Sequence, residues 1–175
     1  MLKERLLKAF QEIGFDEFKE LETQEIIFSQ DVFDQCAKNL CGNFNKNHAC
    51  PPRGGSQKER QERILKYKKG FLLSQIVSIR TRQEMEASMQ EVSKAVKKLR
   101  TIFAADDVFI LGAGPCTVCK RCTALDDEPC RFPEKVEYSM EGSGIDVVRL
   151  SRQKEMTYNA GRGRIAYFSL VVYNE

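Results

Sequence analysis

The chain has no tryptophan and only one histidine, His48, among its 175 residues. With a single imidazole, at most one metal-ligand position can come from histidine. Long apolar runs are missing too. No stretch approaches the roughly 18–20 residues that a membrane span needs. The opening Met1-Leu2-Lys3-Glu4-Arg5-Leu6 is charged and amphipathic, without the apolar core of a signal peptide, so a cytoplasmic, non-membrane protein is expected. Neither sign of charge dominates: 28 basic and 25 acidic side chains leave a net charge of +3. That balance gives no argument for nucleic acid as a partner. Internal repeats and low-complexity tails are absent. What remains is an ordinary folded composition, 42% apolar and 30% charged, with a mean hydropathy of −0.44. The length suits one compact domain over residues 1–175.

Cysteine is absent from most of the chain, and its seven copies fall in two short windows. Cys36, Cys41 and Cys50 form C-x4-C-x8-C, ending in Cys50-Pro51-Pro52. Cys116, Cys119 and Cys122 form C-x2-C-x2-C, and Cys130 follows after seven residues. An odd count in a reducing compartment argues against full disulfide pairing and for metal or cluster ligation. A C-x2-C-x2-C segment curls three thiolates together, as when one short loop grips three irons of a [4Fe–4S] cube. Gly112, Gly114 and Thr117 leave room for backbone N–H groups beside the sulfides, and Lys120 and Arg121 place positive charge near a net-negative centre. Bacterial ferredoxins carry their fourth Cys three residues on, so the match is partial.

Zinc is the alternative, because four cysteines between residues 116 and 130 can complete a tetrahedral site. Two ligand arrangements stay open. Either Cys116, Cys119, Cys122 and Cys130 hold one cluster while Cys36, Cys41 and Cys50 hold a second with an open position, or the sets interdigitate. In the second case Cys50 completes the C-x2-C-x2-C site and Cys130 joins Cys36 and Cys41. His48, two residues before Cys50, is either the fourth ligand of a Cys3His site or a solvated loop residue.

Periodicity and capping residues place the elements. Leu2, Leu6, Leu7, Phe10 and Ile13 have helical spacing, with Gly14 as the stop. Phe15–Phe28 reads as a turn into an extended segment centred on Ile26-Ile27-Phe28. Ser29 caps a short helix through Val32, Phe33 and Cys36. Residues 42–55 are a loop. Ser56 and Glu59 form a capping box for a helix with Ile64, Leu65 and Tyr67 on its apolar face. Its basic residues Lys58, Arg60, Arg63, Lys66, Lys68 and Lys69 read as a solvated face, with docking of an acidic partner or phosphate as the alternative.

Phe71–Ile79 is a buried strand. Thr81 caps a long helix over 82–104, with Met85, Met89, Val92, Val96, Leu99 and Phe103 as its buried stripe. Val108–Leu111 is a second strand, making a βαβ unit with two parallel strands. Helices over 134–141 and 146–155 and a final strand over 164–173 complete the chain. The expected fold is α/β, with α+β as the alternative. It is a single domain with a small mixed sheet containing the βαβ unit, helices packed on it, and cysteine loops at 36–52 and 112–133.

Taken together, several segments resemble a family of predicted metal-binding proteins, domain of unknown function 2284. They are Cys36-Ala37-Lys38-Asn39-Leu40-Cys41-Gly42-Asn43, Cys50-Pro51-Pro52, Gly112-Ala113-Gly114-Pro115-Cys116-x2-Cys119-x2-Cys122, Pro129-Cys130-Arg131-Phe132-Pro133, Ser139-Met140-Glu141, Gly144-Ile145-Asp146-Val147 and Tyr167-Phe168-Ser169-Leu170-Val171. Members carry Tyr-Gly where this chain has Phe44-Asn45, and often an aromatic residue near His48. The resemblance implies metal or iron–sulfur binding through the seven cysteines, with no reaction attached. The expectation is therefore a cysteine-ligated metal-binding protein, most simply one or two [4Fe–4S] clusters in electron transfer or as an accessory redox protein with a redox protein partner. Alternatives are an enzyme using an open-coordinated cluster, whose pocket would draw on Asn39, Asn43 or Arg131, and a zinc-structured binding module.

Overall fold

The computed structural model describes all residues, Met1–Glu175. Its centre is one four-stranded sheet in the order β1-β2-β4-β3, with β1 at Glu17–Glu22, β2 at Lys69–Ser78, β3 at Val108–Leu111 and β4 at Arg164–Tyr173. Every neighbouring pair is antiparallel. Five helices surround it: α1 Leu2–Ile13, α2 Gln30–Gln35, α3 Gln57–Leu65, α4 Arg82–Ile102 and α5 Val147–Gln153. The α and β content matches expectation, but the sheet is antiparallel rather than mixed. β2 and β3 do run in the same direction, since each is antiparallel to β4. They never pair, because β4 enters between them. The unit is a split βαβ, and its α+β character follows from that insertion.

Alternation along β2 and β4 divides the core between the two faces of the sheet. Leu72, Leu170 and Val172 join Leu111, Ile64, Met140, Ile145 and Leu150 on one face. Phe71, Leu73, Val171 and Tyr173 join Ile110 and the buried residues of α1 and α4 on the other. Both faces are therefore covered, which explains why β2 and β4 read as near-continuous apolar runs. No helix is long and apolar enough to cross a membrane.

The local signals held where they act over a few residues. Gly14 ends α1 in the left-handed region at φ 94°, its N–H donating to Phe10 O, a conformation glycine reaches at little cost. Ser29, Ser56, Thr81 and Asp146 cap α2, α3, α4 and α5 through their side-chain oxygens.

Other readings need correction. The extended segment near Phe15–Phe28 has its strand at Glu17–Glu22, not at Ile26-Ile27-Phe28, because only the former finds a partner in β2. In α4 the fully buried residues begin at Val92, and Met89 is 48% exposed; before it, Ser88 Oγ meets Tyr167 Oη at 3.3 Å. No helix forms over 134–141. A short 3-10 turn at Pro133–Lys135 gives way to extended chain, since Gly112 N donates to Tyr138 O and Met140 N to Gly112 O. Those backbone groups are used against β3's continuation and are unavailable for a helical ladder.

Candidate metal centre

Both cysteine windows lie in irregular chain. Cys36 opens a 3-10 turn directly after α2. Cys41 and Cys50 sit in the loop leading to α3, and Cys116–Cys130 follow β3. All seven are free thiols. Cys41 is exposed and the other six are half-buried.

Cys116, Cys119, Cys122 and Cys130 line one recess of ≈ 310 Å³, open at its mouth, together with His48, Val118, Phe132 and Val136. The earlier set is a separate neighbourhood. Cys36 and Cys50 each feel Cys41, and Cys36 feels Cys50. The two sets approach each other where Cys50 comes within electrostatic reach of Cys116. No group of three or more His, Cys, Asp or Glu side chains already converges at the spacing of ligands around a single ion.

The two loops are pinned to each other. His48 Nε2 lies 3.2 Å from Thr123 Oγ1, and Thr123 Oγ1 donates to Pro129 O at 2.8 Å. A hydroxyl has one proton, so the histidine donates and its Nε2 carries a hydrogen. His48 thus borders the Cys116–Cys130 recess, not the Cys36–Cys50 set. Arg53 pairs with Asp127 across the same junction.

Each loop is also shaped from within. Asn47, 5% exposed, accepts from Ala49 N and Cys50 N at 3.0 Å each, the Asx geometry that turns the chain at Cys50. Asn39 sits in the left-handed region at φ 52° and accepts from Phe44 N through Oδ1. Asn43 Nδ2 donates to Cys41 O, and Arg131 Nη1 donates to Arg121 O. All three side chains hydrogen-bond to loop backbone.

Beneath the second loop, Glu137 takes hydrogen bonds from Thr117 N and Thr117 Oγ1, both at 3.0 Å, on one carboxylate oxygen. Its other oxygen lies 3.5 Å from Arg100 Nη1, and Arg100 Nη2 donates to Ile110 O. Burial pulls the Arg100 pKa down, opposed by Glu137 and then Cys116. This chain of contacts fixes the start of the C-x2-C-x2-C segment to α4 and β3.

Arg60 is the largest departure from the sequence reading. Its helix neighbours Lys58 and Lys66 are exposed as expected, but Arg60 is 0% exposed. The signal was available: Arg60 stands one turn before buried Ile64 and three residues after Gln57, on the inward face. Arg100 has the same spacing to Val96.

Burial pushes the Cys36 and Cys50 thiols up, with the neighbouring cysteines adding to it and Arg60 opposing it; at Cys50 the Asn47 side chain also opposes. Ligation requires thiolates, so any metal bound by these cysteines would release protons on binding and bind more strongly as pH rises.

Compared with known families, the chain matches the model of a predicted metal-binding protein, domain of unknown function 2284, over residues 19–173. It belongs to that family. No curated protein and no solved structure matches it.

Proposed function

We propose that this member of a predicted metal-binding family holds iron–sulfur clusters at its seven cysteines and serves in electron transfer or as an accessory redox protein. The observation that carries this reading is the common recess of Cys116, Cys119, Cys122 and Cys130, beside a second set of three thiols. The donor set fits the group: it is all soft sulfur and undisulfided, and its four later members surround a cavity rather than a point. When bound, such clusters supply one-electron chemistry at potentials tuned by charge, hydrogen bonds and solvent exposure.

The grouping supports two sets over the interdigitated arrangement, since Cys130 lies with the C-x2-C-x2-C run and Cys50 with Cys36 and Cys41. Three thiols at the second set leave one position for an outside ligand, which is what the enzyme alternative needs. Leu40, Leu125 and Phe132 are exposed apolar side chains on the cysteine loops, consistent with a redox protein docking there.

Anaerobic purification followed by iron, acid-labile sulfide and zinc analysis on one sample tests the assignment. Iron and sulfide in equal amounts, with visible absorbance bleached by dithionite, are expected. Stoichiometric zinc in a colourless, sulfide-free protein would establish the zinc-structured module instead. Cys36→Ser and Cys119→Ser should each empty a different cluster, read as loss of a different spectroscopic signal, and lower stability. Full iron retention in Cys119→Ser would sink the ligand assignment, and a Cys130→Ser variant that loses the Cys36→Ser signal instead of the Cys119→Ser signal would sink the two-set arrangement.

A further inference from the structure

Arg60 has a fully buried guanidinium with one nitrogen unused. Nε donates to Gly55 O at 3.0 Å, and Nη2 donates to Ala49 O at 2.7 Å and to Arg53 O. Its carbon lies 5.9 Å from the Phe33 ring centre and 5.5 Å from that of Tyr138. Nη1 is buried and has no hydrogen-bond partner. A Cβ built on Gly142 would stand 3.7 Å from Nη1 and 3.8 Å from Pro51 Cδ, so that nitrogen and the Pro51 ring both border the Gly142 Cα.

No ion pair to a carboxylate forms at Arg60, whose hydrogen bonds all go to backbone carbonyls. The neighbours that can carry negative charge toward it are Tyr138, Cys50 and Cys36. A tyrosine hydroxyl is neutral near pH 7. That leaves the two cysteines, whose sulfurs become anionic on metal binding rather than by titration. A buried cation without an anionic partner is among the costliest features a fold can carry. The same cation beside metal-bound thiolates is compensated.

We propose that Arg60 is the built-in counter-cation of the metal group held by Cys36, Cys41 and Cys50, and that it raises the reduction potential of that group alone. The proposal rests on the iron–sulfur reading above. Reduction adds one negative charge to the site. A fixed positive charge in a desolvated setting favours the reduced form more than the oxidised one, so neutralising residue 60 makes reduction harder. The set at Cys116–Cys130 has Arg100 on its own side and does not depend on Arg60.

The test uses the full chain, purified anaerobically, as wild type, Arg60→Gln, Arg60→Lys and Cys36→Ser. Dithionite titration followed by electron paramagnetic resonance gives midpoint potentials, alongside iron and sulfide content and urea midpoints. Cys36→Ser identifies which signal belongs to the three-cysteine set. In Arg60→Gln that signal should become at least tenfold harder to reduce, a shift of 59 mV for one electron, while the other stays in place. Arg60→Lys keeps the charge but not the fork to three carbonyls. It should lose folding stability and hold the potential near that of wild type.

Equal potentials in Gln and Lys variants, with only stability lowered, would make Arg60 a clamp on the Asn47–Gly55 loop and overturn the proposal. Should Arg60→Gln fail to retain iron, retention by Arg60→Lys supports the counter-cation role, and loss by both overturns it. A wild type without iron and sulfide overturns the underlying reading and is told apart at the first analysis.

Discussion

Glu137→Ala is the substitution that most directly tests how the C-x2-C-x2-C loop is held. It deletes an acceptor taking two hydrogen bonds from Thr117 and the acid facing Arg100. Hydrogen bonds to a charged group contribute about 1.5–3 kcal/mol each, and breaking a buried pair costs about 3–5 kcal/mol. These do not simply add. Thr117 is exposed, so water replaces its lost acceptor. The Arg100 side chain is 23% exposed and keeps its bond to Ile110 O, so part of its charge is resolvated.

About 3 kcal/mol of destabilisation remains after that discount. For a chain of this length the melting temperature should fall by on the order of 6–12 °C. Equilibrium urea unfolding of the alanine, glutamine and Glu137→Ala/Arg100→Met variants measures it, with metal content taken on the same samples. Glutamine should lose about half as much, since it still accepts from Thr117, and the double variant should recover part of the loss because no cation is left unpaired. A change under about 0.5 kcal/mol in Glu137→Ala, the range of an ordinary surface substitution, together with full metal retention, would refute the anchoring role.

Two further outcomes are expected. Gly144 sits at φ +75°, where a Cβ would lie 2.6 Å from Gln57 Nε2 and 3.2 Å from Phe33 Cβ; Gly144→Ala should cost about 2 kcal/mol or more in urea unfolding, and wild-type stability would show that the turn is not constrained. Asp106 is held below the usual carboxylate range, first by its hydrogen bond from Arg5. A depressed carboxylate stabilises fully above its unfolded pKa of about 3.9 and loses that contribution as pH falls through the lowered folded value. Arg5→Ala should therefore flatten the acid limb of the stability curve below about pH 4, and superimposable limbs would contradict the pairing.

The chain's helices and their caps could be read in advance because the forces involved are local. Ser56 and Glu59 satisfy each other's backbone within one turn, and Gly14 needs only its own φ. The apolar runs of β2 and β4 likewise announced strands buried on both faces. Cysteine identity and spacing marked the two loops without any fold. Residues 134–141 misled for a physical reason: helical propensity there is outcompeted by Gly112, a partner twenty-odd residues earlier whose backbone bonds replace the helical ladder.

Sequence alone therefore settled the capped helices, the two long apolar strands and the two cysteine-bearing loops, since each depends on residues a few positions apart. Tertiary structure alone decided the sheet order, in which β4 separates β2 from β3. It also decided that Cys130 shares a recess with Cys116, Cys119 and Cys122, and that Arg60 lies buried against the turn at Cys50 with one nitrogen to spare. The contacts behind those outcomes join residues remote in the chain. Their energies come from burying two sheet faces at once and from closing two loops on each other, and no periodicity within either loop encodes them.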